Sequence, residues 1–353
     1  MTADGADAPP LAGIRVVDLC SYYPGPLCTS ILADLGADVV KVERPGGGDP
    51  GRTVTPGTHR VLNRRKRVVQ LDLKSAADRS AVLDLTDGAD VVVVAFRSGG
   101  AERLGVGGAQ LTARNPRLVH CSISGFGSAS TASAHDFDVS ARSGLLWMSG
   151  DADGQPRQTG MVPHVDVATA SYAAQAILAA LFRRERTGTG ACLEVPMTAA
   201  ALKLLEPRLA DHEAAGLPSR RAFLDRPAYA AFRAGDDRLV ALAAVTDEDW
   251  AGLLAVLGPA GLPDDPRLRS AAGRRRHADV VRTGLDAAFA TRPAAEWIER
   301  LEAVDVPVAP VQSPAELAGD PLIAALEVLL PGEGGLEVAF PVSGLGVTPA
   351  VAR

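Results

Sequence analysis

Aromatic residues are scarce, at 4% of 353 residues, and the formal net charge is −6. Few stacking surfaces on an acidic chain argue against a general nucleic-acid binder. Cysteine is equally sparse. Cys20, Cys28, Cys121 and Cys192 lie far apart, with no C-x-x-C pair and no His at ligand spacing. That pattern suggests neither a disulfide framework nor a zinc site, and no metal is expected. Cys28 reads better as a small buried hydrophobe than as a nucleophile. The longest apolar runs, Ala173–Phe182 and Val91–Phe96, fall well short of a spanning helix. The stretch Met1–Pro10 is acidic and Pro-rich without an apolar core, so it does not read as a secretory signal. The expectation is a cytoplasmic protein with no membrane contact. Gly46–Gly48 is not a G-x-G-x-x-G turn, which discounts a dinucleotide site.

What is present is alternation. Ile14–Leu19 reads as a strand, Pro26–Gly36 as a helix and Asp38–Glu43 as a second strand. Helix Ser75–Asp87, strand Asp90–Phe96, helix Ala109–Asn115 and strand Leu118–Ser122 continue the pattern. Strands alternating with helices predict a parallel sheet covered on both faces, and Val91–Val94 is apolar enough for its centre. A long helix is expected from Asp166, as N-cap, to about Arg186, closed by Gly188. Beyond it the texture changes. Ala199–Gly216 reads as helix, Arg238–Val245 as strand, Glu248–Leu257 and Ala294–Val304 as helices, and Val308–Val311 and Leu336–Phe340 as short strands. The class is α/β, with a large parallel-sheet domain and a smaller α+β domain.

Charge is unevenly spread. Between Arg44 and Lys74 lie eight basic residues, Arg44, Arg52, Arg60, Arg64, Arg65, Lys66, Arg67 and Lys74, against only Asp49 and Asp72. Such a field on an acidic protein fits either a solvated basic loop or a small phosphorylated ligand.

The chain resembles the family III CoA transferases and α-methylacyl-CoA racemases. The resemblance rests on Leu11–Asp18 followed by Gly25-Pro26, on Leu32–Pro45, on Leu62–Arg67 and on Leu71–Ser75. It continues through Phe96-Arg97 to Gly105, Asn115–Leu118 with Gly125-Phe-Gly127, Ala176–Leu181 running to Gly190, and Val306–Val311 ahead of Asp320-Pro321. It implies a Rossmann-like large domain built from both chain ends (1–200 and 312–353), a smaller inserted domain (215–311) and a linker helix (201–214). It also implies an interlocked homodimer. The partner implied is an acyl-CoA, with Arg44, Arg64, Lys74, Arg97 and Arg103 on the phosphates and adenine of coenzyme A, and Leu71 or Leu73 offering backbone to the adenine edge.

The resemblance further implies that Asp166 is catalytic. His135, immediately before Asp136, matches the racemase branch, where transferases usually carry an aromatic residue. Two bases on opposite faces of an enolate suit racemisation α to a thioester. The first expectation is therefore an acyl-CoA racemase using His135 and Asp166. A CoA transferase with an aspartyl intermediate, and a non-catalytic acyl-CoA-binding partner subunit, are the alternatives. Three positions depart from the racemase pattern. No Gly-Pro follows Gly127, Asp225–Tyr229 replaces a Gly-rich run, and Thr246 stands where racemases present a glutamate, beside Asp247, Glu248 and Asp249.

Overall fold

The computed structural model describes residues 8–149, 155–157, 162–215, 226–258, 262, 265–332, 335–342 and 345. The chain divides into two compact units: Met1–Gly150, Pro156–Asp211 and Glu327–Arg353 form the first, Asp151–Gln155 and His212–Leu326 the second.

The first unit is a mixed α/β structure. Its sheet is β1 (Arg15–Leu19), β2 (Asp38–Glu43), β3 (Lys66–Gln70), β4 (Val91–Val94), β5 (Val119–Ser124) and β6 (Ala191–Pro196), in the order β3-β2-β1-β4-β5-β6. Every pairing is parallel. The intervening helices are α1 (Pro24–Asp34), α2 (Gly51–Val54), α3 (Pro56–Asn63), α4 (Ala76–Asp87), α5 (Gly100–Arg103), α6 (Gly108–Arg114), α7 (Asp136–Ser143) and α8 (His164–Thr187), and α9 (Met197–Ala215) follows β6.

Two-residue periodicity sorts the strand side chains onto two apolar layers. Val16, Val39, Val91, Val93, Cys121 and Ile123 pack with α1 and α8 on one face. Val17, Val42, Val92 and Val94 pack with Val82, Leu111 and Leu118 on the other. Val91 to Val94 are wholly buried, each contributing roughly 1.5–3 kcal/mol relative to an exposed side chain. Helix α8 is long and apolar enough to cross a bilayer by length and composition, yet Ala170, Ala173 and Ile177 are inside this core. Two further strands, Leu329–Gly332 and Gly335–Val338, form an antiparallel pair in the same unit.

The second unit carries an antiparallel sheet of Tyr229–Arg233, Leu239–Ala243 and Val308–Pro310. Helices Asp247–Leu257, Ala278–Phe289 and Ala294–Glu302 supply its core, where Phe289 lies 5.0 Å from the ring of Phe232 and 5.0 Å from that of Trp297. Asp225, which begins one of the departures from the racemase pattern, lies outside the described residues.

Two expectations need correction. Asp166 is not the N-cap of the long helix: α8 begins at His164, so Asp166 is its third residue. The strands β3 and β6 also go beyond the expected set. Both are edge strands, and β3, with the sequence KRVVQ, lacks the apolar run by which β4 is read.

Candidate active site

In an open parallel sheet, ligands favour the carboxyl ends of the strands where the strand order reverses. Here that point lies between β1 and β4, and a cavity of about 470 Å³ opens there. Its walls come from the segments after β1 (Ser21, Tyr22, Tyr23), after β4 (Phe96, Arg97) and at the end of β5 (Ser124, Gly125). His135 and Asp136, from the start of α7, and Asp166, from α8, complete it. His135, Asp166 and Arg97, far apart in sequence, thus share one cavity.

The loop bearing His135 comes close because Gly125 lets it. A Cβ at Gly125 would lie 2.2 Å from the Cβ of Ala134, so any side chain there would push the loop off the end of β5. Asp138 accepts the backbone N–H of His135 at 3.3 Å, which fixes the entry into α7.

Asp166 is buried, and its carboxyl pKa is pushed up to about 7, first by burial and then by the neighbouring Asp136. Asp136 reaches across from α7 to the start of α8. One of its oxygens accepts the backbone N–H groups of Val165 (2.8 Å) and Asp166 (3.1 Å). These are among the first N–H groups of a helix, which have no partner within it. Burial, followed by Asp166 and Asp136, also raises the pKa of Tyr23.

The basic segment turns out not to be one patch. Arg44, Leu71 and Lys74 follow β2 and β3, and Arg97 and Arg103 follow β4, so all five lie at the carboxyl edge of the sheet. Arg44, Lys74, Arg97 and Arg103 are exposed, and Leu71 is tied to this edge by its N–H bond to the carbonyl of Glu43 (2.9 Å). Arg103 packs over Gly99. Arg64 stands apart, because it precedes β3 and so lies at the opposite, amino edge. There its guanidinium is held by both oxygens of Asp34 (3.0 and 3.1 Å) and by Glu337 (3.5 Å). Arg65 also meets Asp34. Lys66 is buried against Asp18 (3.0 Å), and Arg52 is paired with Glu43 (2.7 Å).

Glu43, Asp49 and His59 present ligand-type atoms within 4.8 Å of one another. Two cations already serve this cluster, since Arg52 grips Glu43 and Lys41 lies 3.0 Å from Asp49. The chemistry is that of an ion-pair network. This network escaped the sequence reading, although charged Lys41 and Glu43 inside the apolar run of β2 were its visible trace.

In the second unit, Thr246 is the N-cap of helix Asp247–Leu257, accepting the N–H of Asp249 (3.0 Å). Asp249 returns the contact to the N–H groups of Val245 and Thr246, and Asp247 holds Arg274 at 2.6 Å. The two aspartates beside Thr246 are therefore engaged locally.

The sequence model of CoA-transferase family III matches residues 11–349. The chain is 34% identical over 344 residues to acetyl-CoA:oxalate CoA-transferase of Acetobacter aceti, covering 94% of this chain and 88% of that one. It is 35% identical over 340 residues to succinyl-CoA:mesaconate CoA-transferase of Haloarcula hispanica, with 90% and 84% covered. The crystal structure of a CAIB/BAIF family protein from Brucella suis superposes with a TM-score of 0.84 at 28% identity, over 96% of this chain and 93% of that one. The relatives are named as transferases. They favour the transferase alternative over the racemase expected from His135.

Proposed function

The chain belongs to CoA-transferase family III, and from that premise we propose that it moves coenzyme A from an acyl-CoA to a free carboxylic acid, with Asp166 as nucleophile. The observation that carries this reading is the burial of Asp166 at the switch-point cavity, with its pKa raised to about 7. A carboxylate of raised basicity is a better nucleophile than an ordinary one, and near neutral pH a large fraction is ionised.

The steps balance without an external base. The Asp166 carboxylate attacks the thioester carbonyl, the C–S bond breaks, and Asp166 carries an acyl anhydride while CoA thiolate is freed. The thiolate attacks the aspartyl carbonyl, the first acid leaves as its carboxylate, and Asp166 becomes a CoA thioester. The acceptor carboxylate then displaces the thiolate from Asp166. The thiolate attacks the new acyl carbonyl, giving the new acyl-CoA and restoring Asp166.

Arg44, Lys74, Arg97 and Arg103 are the residues we assign to the phosphates, with Leu71 at the adenine edge. Guanidinium groups suit such contacts, and all these residues share the carboxyl edge of the sheet with Asp166. The engagement of Arg64 with Asp34 leaves it out of this set. His135 becomes a polar wall of the acid site. Ser21, Tyr23 and Ser124 in the cavity lining, beside Arg97, are residue types that suit small polar acids, and the relatives' names, oxalate and mesaconate, point the same way. Family membership also supports an interlocked homodimer as the assembly.

The test is a panel of acyl-CoA donors against free acids, with new acyl-CoA measured by mass spectrometry. Transfer that requires both partners supports the reading, and no transfer across the panel rejects it.

A further inference from the structure

Tyr22 has φ +66°, in the left-handed region that a bulky side chain rarely adopts. Among the described residues three other non-glycine residues share a positive φ, and two of them, Asp237 and Asp305, are of the short polar type that tolerates it. Strain of this kind persists only where the surroundings enforce it.

The surroundings here are buried charges. Asp18 accepts the N–H of Cys20 (2.9 Å), Lys41 donates to the carbonyl of Cys20 (2.8 Å), and Asp49 accepts the N–H of Tyr22 (3.1 Å). Lys41 and Asp49 pair at 3.0 Å with both side chains fully buried, and Lys41 stands opposite Asp18 in the β1–β2 register. A buried ion pair is weak evidence for stability, since apolar residues of similar volume often serve as well. What distinguishes this one is that both members reach the backbone of the Cys20–Tyr22 loop, although Asp49 also accepts the N–H of Gly51 (2.9 Å). At the end of that loop the Tyr22 ring meets His135 edge-on, 6.2 Å between centroids at 87°, in the cavity that holds Asp166.

We propose that Tyr22 selects the carboxylic acid admitted to this cavity, favouring short unbranched acids, and that the buried Lys41–Asp49 pair holds it in its strained position. The selection rests on the transferase reading; the clamp does not. Tyr22 is a specificity residue, and Lys41 and Asp49 are positioning residues acting through it.

Two measurements test this. First, the ratio of kcat/KM for succinate to that for phenylacetate is compared between wild type, Tyr22→Phe and Tyr22→Ala. Tyr22→Phe keeps the ratio, while Tyr22→Ala shifts it about tenfold or more toward the bulkier acid. An equal loss for both acids overturns the selection. In the paired variant Lys41→Met/Asp49→Asn the ratio moves the same way, and adding Tyr22→Ala moves it little further. Fully additive shifts overturn the coupling. Second, thermal melting compares Tyr22→Gly with Tyr22→Ala. Glycine ordinarily melts lower, but relief of the positive φ places Tyr22→Gly above Tyr22→Ala. The ordinary order overturns the clamp. If the wild type transfers CoA to no acid, the transferase reading and the selection both fall, and the melting order still decides the clamp.

Discussion

The backbone N–H of Asp166 donates to the carboxylate of Asp136 at 3.1 Å, so the acid that caps the start of α8 is also the like charge beside the proposed nucleophile. One residue therefore does two separable things. Asp136→Asn keeps an oxygen for the Val165 and Asp166 N–H groups but removes the charge. The acidic limb of kcat/KM should move to lower pH, because Asp166 ionises more easily. Asp136→Ala also loses the cap and should cost about 0.5–2 kcal/mol of stability. An unmoved limb in Asp136→Asn would show that the two carboxyls are not coupled.

The raised pKa of Asp166 has a stability consequence whose sign is fixed. The folded protein holds this proton up to about pH 7, against 3.8 for an ordinary aspartate. Between those values the folded state binds more protons than the unfolded state, so stability falls as pH rises. A shift of this size is worth up to a few kcal/mol. Asp166→Asn should therefore melt above wild type at pH 8 and close to it at pH 4, as read by calorimetry at both pH values. Equal melting differences at the two pH values would contradict the assignment.

Arg97 and Arg64 separate ligand binding from structure. Arg97→Ala removes the proposed phosphate contact and should weaken CoA binding roughly ten- to a hundredfold in titration calorimetry, as expected for loss of one charge-assisted bond. Arg64→Ala should leave CoA affinity unchanged. It should instead lower stability by about 1–2 kcal/mol, because Asp34, whose pKa burial already raises, loses the guanidinium nitrogen that donates to both its oxygens.

For the proposed interlocked homodimer, light scattering across a dilution series should give twice the chain mass throughout. A folded monomer at micromolar concentration would reject it.

The sheet was legible wherever burial on both faces left an apolar run, as at Val91–Val94, or where a turn residue closed a helix, as at Gly188. Strand β3 was not, because its pairing to β2 is set by an edge position and Lys66 is satisfied by Asp18 on a different strand. At the site, the residue types of Asp166, His135 and Arg97 were readable, and the cavity that joins them is a product of strand order. The capping of α8 could not be read locally, since Asp136 lies thirty residues before the helix residue it serves. The basic run hides a related separation. The resemblance groups Arg64 with Arg44 on coenzyme A, while a parallel strand carries the two to opposite edges of the sheet.

The central claim is covalent chemistry at Asp166. Wild-type protein given an acyl-CoA, quenched with hydroxylamine and digested, should yield a hydroxamate on the peptide containing Asp166, with none when the acyl-CoA is omitted. Transfer that proceeds while Asp166 stays unmodified, or that survives in Asp166→Asn, would contradict it.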